Sequence, residues 1–138
     1  VNKSNDVDTD GYYVETRLQP LSLNEYQERA LTTAQYPEQG TSSPLALAYV
    51  GLGLGEAGEI QGKIKKILRD HDLEAIRLDG LPLEARLAIL QEYGDLLWYI
   101  AVGVAELGMD LDTVAMMNLD KLTSRKERGV IKGSGDER

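Results

Sequence analysis

Apolar residues recur along this chain at steps of three and four, and no run alternates at a step of two over a useful length. The pattern predicts helices and no sheet. Leu23, Tyr26, Ala30 and Ala34 form a first stripe behind the capping box Ser22-Leu23-Asn24-Glu25, which predicts a helix from Leu23 to about Ala34. Pro37 and Gly40 break the chain. Ser43-Pro44 reads as an N-cap followed by proline in the first helical position, and one long helix is expected from Leu45 to about Arg69. Leu45, Ala48, Leu52, Glu56, Glu59 and Lys63 lie along one side of it. A loop is expected from His71 to Gly80, with a helical turn at Leu73–Arg77. Pro82 opens a third helix that reaches about Leu107 and stops at Gly108. It is apolar nearly all round, so it is expected at the centre. Asp110 caps a fourth helix from Leu111 to about Arg128, ended by Gly129. The expectation is an all-α fold of four main helices over residues 21–129. A flexible polar arm (1–20) precedes it and a Gly-rich basic tail (130–138) follows.

Composition narrows the chemistry. The 138 residues suffice for one core and are too few for two ordinary domains. Cysteine is absent and His71 is the single histidine, which excludes disulfides, thiolate catalysis and zinc sites built from Cys and His. The net charge of −8 argues against general binding to nucleic acid or anionic membranes. That charge is uneven: residues 121–138 hold six basic and three acidic side chains, and the acids crowd the remainder. The apolar run 96–105 is too short to span a bilayer, and no secretory leader is visible. A soluble cytoplasmic protein is the expectation.

Gly53-Leu54-Gly55-Glu56-Ala57-Gly58 matches the dinucleotide fingerprint G-x-G-x-x-G. That motif needs a strand before it and a second parallel strand after it, and no β-branched run follows. On a helix the glycines make better sense. Gly51, Gly55, Gly58 and Gly62 form one stripe, and each costs roughly 1 kcal/mol relative to alanine. Close helix packing, or room for a ligand beside Glu56 and Glu59, would justify them.

Two acidic motifs share one form: Glu56-Ala57-Gly58-Glu59 and Glu92-Tyr93-Gly94-Asp95. Each places two carboxylates three residues apart on one helical face. Leu52, Leu54 and Ile60 flank the first, and Leu90, Leu96, Leu97 and Trp98 the second. Carboxylates in apolar surroundings need a cation. If the two helices face each other, four oxygen donors converge, a set that selects Mg²⁺ or Mn²⁺. A di-iron bundle would require a Glu-x-x-His motif on two helices, and His71 is not so placed. Glu25, Glu28, Glu84 and Glu106 read as solvated surface acids. On the last helix Asn118, Lys121 and Arg125 share a face suited to phosphate and sugar. Lys132 and Arg138 in the tail are candidates to close over a triphosphate. Tyr49, Trp98 and Tyr99 are candidates to stack on a nucleobase.

Taken together, E-x-x-E, E-x-x-D and N-x-x-K resemble the MazG-like all-α nucleoside triphosphate pyrophosphohydrolases. The likeness runs from about Leu21 to Arg138. It is carried by Gly53–Glu59, Glu92–Tyr99 and Asn118–Arg128, and the closing segment Arg128–Asp136 is similar to the end of short phage and bacterial members. The 32 residues between Glu59 and Glu92 are more than many members have, a length that an extended loop at 70–82 would absorb. The resemblance implies Mg²⁺ held by Glu56, Glu59, Glu92 and Asp95, with Glu59 or Glu56 orienting or deprotonating the attacking water. It implies phosphate or sugar contacts from Asn118, Lys121 and Arg125. The reaction implied is hydrolysis of a (deoxy)nucleoside triphosphate between its α and β phosphates, in a bundle completed as a homodimer or homotetramer, for nucleotide-pool control. A non-catalytic helical adaptor, or a phosphohydrolase cutting another phosphate bond, remains as an alternative.

Overall fold

The computed structural model describes residues 20–131. The arm and tail therefore lie almost wholly outside the described residues, and so do Lys132 and Arg138. Six α-helices follow in order: α1 (Leu23–Leu31), α2 (Pro44–Gly53), α3 (Ala57–Asp70), α4 (Leu73–Asp79), α5 (Leu83–Glu106) and α6 (Leu111–Glu127). The described residues contain no strand, and the fold is all-α as expected.

The helix starts are the ones the local chemistry dictates. Ser22 and Glu25 close the capping box, the Glu25 carboxylate accepting from the Ser22 N–H at 2.8 Å. Ser43 accepts from the Ala46 N–H ahead of Pro44, and Asp110 accepts from the Thr113 N–H at 2.7 Å. Each satisfies donors that a helix leaves unpaired at its first turn. Gly108 and Gly129 end α5 and α6 with φ of 72° and 69°, a left-handed conformation glycine adopts at little cost. In the stretch expected to hold one turn, α4 forms seven residues capped by Asp72.

One expectation is corrected. The long helix from Leu45 to Arg69 is broken by a single 3₁₀ turn at Leu54–Glu56, so α2 and α3 are separate elements. The side that α2 buries is also different. Ala46 and Val50 are buried, whereas Leu52 in the expected stripe is 80 % exposed.

α5 is the central helix. It packs against α1, α2, α3, the 3₁₀ turn and α6, and α6 also packs on α1. The core at its C-terminal end is Ala30, Ala101 and Leu111, with Tyr26, Trp98 and Val104 against it. Two polar residues are buried there with full sets of partners. Gln27 donates its amide to the carbonyls of Ala101 (2.9 Å) and Met109 (3.3 Å) and accepts from the Leu111 N–H (3.0 Å), joining α1, α5 and α6. Glu106 is corrected from a surface acid to a buried one, 2 % exposed. It accepts from the Tyr36 hydroxyl (2.5 Å) and from the Gly40 (2.6 Å) and Ser42 (2.9 Å) N–H groups. The loop so held contains Glu38 and Ser42 at positive φ, a conformation disfavoured for non-glycine residues. Burial pushes the Glu106 carboxyl up, but the three donated hydrogen bonds outweigh it and hold it below the usual glutamate range.

Candidate functional site

Among the described residues, α3 and α5 run antiparallel, as three pairings along them show. Glu56, where the 3₁₀ turn meets α3, lines a cleft with Asp95, Trp98 and Tyr99 of α5. About two turns further along α3, Lys63 reaches Glu92. At the far end Ile67 and His71 share a cavity with Ala85 and Pro82. The two acidic motifs therefore do lie on facing helices.

The cleft holding Glu56 and Asp95 has a volume of about 320 Å³. Tyr99 forms part of its wall, and Trp98 meets Tyr99 edge to face with centroids 5.0 Å apart at 89°. Trp98 is fixed from behind by the turn that follows α1, its indole N–H donating to the Thr33 hydroxyl at 2.8 Å. Burial pushes the Tyr99 hydroxyl up, and Tyr49, Glu56 and Asp95 add to the effect. Burial and then Asp95 do the same for Tyr26. Tyr99 is thus a neutral donor beside two carboxylates. Its ring lies so close to the end of α2 that a Cβ at Gly53 would fall within it. Glycine at that position lets α2 end against the ring, where the 3₁₀ turn begins.

The expected glycine stripe behaves otherwise. A Cβ at Gly51, Gly55, Gly58 or Gly62 would meet nothing within 4 Å, so within the chain these glycines are not sites of close helix packing. Gly53, which lies off the stripe, is the one that close contact requires.

The other carboxylates are placed differently. Glu92 is half-buried and pairs with Lys63 at 3.0 Å, while Glu59 is exposed on α3. Among the described residues no three acids or histidines stand close enough together to form a ready cation cage. Glu92 has the Lys63 ammonium as its partner instead. The donor types still fit Mg²⁺ or Mn²⁺, since Glu56 and Asp95 offer hard oxygen ligands on opposite walls of one cleft. The sequence placed Lys63 on the side of Glu56 and Glu59 but did not pair it with Glu92. The signal for it was its spacing, four residues after Glu59 and seven after Glu56.

No α6 residue lines the cleft. Asn118 and Lys121 are exposed on α6 and Arg125 is buried, so the three do not present one continuous polar face. Tyr49 stacks on Tyr36, with centroids 5.1 Å apart.

The family profile for the MazG nucleotide pyrophosphohydrolase domain matches residues 47–130, which includes both acidic motifs and α6. The chain belongs to this MazG nucleotide pyrophosphohydrolase family. It is also similar to the Gene 37 protein of Mycobacterium phage L5, 48 % identical over 120 residues that cover 86 % of this chain and all of that protein. No solved structure matches it. Among the described residues no helix is long and apolar enough to cross a membrane.

Proposed function

We propose that the chain hydrolyses (deoxy)nucleoside triphosphates at the α–β bond, releasing a monophosphate and pyrophosphate. The observation that supports this most is one cleft lined by Glu56, Asp95 and two aromatic rings, in a chain of this family. Glu56, Glu59, Glu92 and Asp95 are the residues that would hold Mg²⁺ or Mn²⁺. When bound, the ion supplies charge neutralisation for the polyphosphate and a more acidic water. The carboxylate of Glu56 or Glu59 orients the attacking water or takes its proton. Tyr99 offers a hydroxyl donor, and Trp98 offers a ring face at the scale of a base.

The reading includes a second copy of the chain. α6 exposes Met116, Met117, Leu119 and Leu122 alongside Asn118 and Lys121, and this much exposed apolar surface on one helix favours cover by a partner. Assembly would let Asn118 and Lys121 serve a cleft that they do not line within one chain. Light scattering on the purified protein tests this, and a strictly monomeric species counts against it.

The decisive assay incubates the protein with each dNTP and Mg²⁺ and resolves the products. Pyrophosphate supports the reading, whereas orthophosphate would mean a different phosphohydrolase. Glu59→Gln and Asp95→Asn should each abolish turnover while leaving the helical circular dichroism intact, and full activity in either variant rejects the assignment.

A further inference from the structure

From the end of the 3₁₀ turn into α3, Glu56, Glu59 and Lys63 follow one another at intervals of three and four. The Lys63 ammonium lies 3.0 Å from Glu92 Oε1, with the two side chains 29 % and 16 % exposed. The pairs Arg69–Asp70 and Arg77–Glu74 join near neighbours in sequence, but this one joins α3 to α5. It engages one of the four carboxylates read above as cation ligands.

We infer that Lys63 is a built-in counter-ion that competes with the divalent cation for Glu92 and so sets how tightly that cation is held. The inference rests on the reading of Glu56, Glu59, Glu92 and Asp95 as cation ligands. An ammonium on the carboxylate and a divalent ion at the same oxygens exclude each other by charge as well as by space. Lysine suits the role, being a compact charge on a flexible stem that can leave without unfolding its helix. It also has somewhere to go. Lys63 lines a second cavity of about 380 Å³ on the side away from the Glu56–Asp95 cleft, and that cavity includes Glu84, Lys66 and His71. On leaving Glu92 the ammonium can turn toward Glu84 or toward an anion brought in with the cation. Lys63 is thus a positioning residue acting through Glu92.

The test is a Mn²⁺ titration of the full chain without nucleotide, followed by the electron paramagnetic resonance of free Mn²⁺. Lys63→Met should tighten Mn²⁺ binding roughly three- to tenfold, the scale of removing one partly screened charge. Lys63→Gln, carried in parallel in case the methionine variant folds poorly, should do the same. Lys63→Arg should stay within about twofold of the wild type. In a Glu92→Gln background the Lys63→Met effect should vanish, because coupled residues are not additive. Unchanged or weaker Mn²⁺ binding in the methionine and glutamine variants overturns the inference alone, and so does a gain that persists undiminished in the Glu92→Gln background. No Mn²⁺ binding by the wild-type chain overturns both the inference and the reading beneath it.

Discussion

The two ends of α5 are built on opposite terms. Around Ala101–Glu106 every buried polar group described has its partners, and the helices meet through Gln27, Glu106 and a small apolar core. Along Leu83–Tyr99 the neighbouring α3 buries Ile60 and Ile67, while charged side chains line the cavities between the two helices. The first end is closed and specified. The second is left open, with Glu56 and Asp95 lining a cleft and Glu92 paired with Lys63. The best-packed contacts lie at the first end, and the proposed chemistry falls at the second, where packing is looser.

The sharpest way to break this contrast is at Glu106. Glu106→Ala leaves the Tyr36 hydroxyl and two backbone N–H groups without their acceptor, and should cost about 3 kcal/mol or more in urea unfolding. The same carboxylate gives a pH signature. Its folded value is lowered, so its contribution is complete above the ordinary glutamate value of about 4.3 and is lost as the pH falls through the lowered folded value. The wild type should therefore lose stability in acid through a component that Glu106→Ala lacks. Tyr36 works in the opposite sense. Burial and Glu106 raise it, so its contribution is present below the ordinary tyrosine value and is lost only as the pH climbs beyond it.

A smaller effect is expected where the closed and open regions meet. Gly53→Ala puts a methyl into the Tyr99 ring, which must move, at about 1–3 kcal/mol. The same move disturbs the wall of the Glu56–Asp95 cleft, so turnover should fall with stability. The mildest test lies on the open side. Gly62→Ala meets nothing within 4 Å and replaces a glycine inside a helix, so it should raise stability by roughly 0.5–1 kcal/mol. A loss instead would mean that another chain covers this face.

Local signals were legible and long-range ones were not. The caps at Ser22, Ser43 and Asp110 and the stops at Gly108 and Gly129 involve residues within a few positions of one another, so the sequence displays them directly. Gln27 and Glu106 look like ordinary surface residues, because their partners lie 64 or more positions away. The repeated acid spacing led to the expectation that Glu56, Glu59, Glu92 and Asp95 converge, and of these Glu56 and Asp95 line one cleft. It did not show that Glu92 would pair with Lys63, which depends on the α3–α5 register. The break between α2 and α3 was hidden for the same reason: the Tyr99 ring that lies against Gly53 comes from α5.

That break has a geometric consequence. An α-helix winds about 100° per residue and a 3₁₀ turn about 120°, so three residues of the tighter turn advance the winding by roughly 60°. In an unbroken rod Ile60 would point about 80° away from Val50, and Ile67 about 100° away. The extra advance reduces those offsets to roughly 20° and 40°. Leu54–Glu56 thus acts as a phase corrector, giving α2 and α3 one shared inward edge although their apolar residues are spelled out of step.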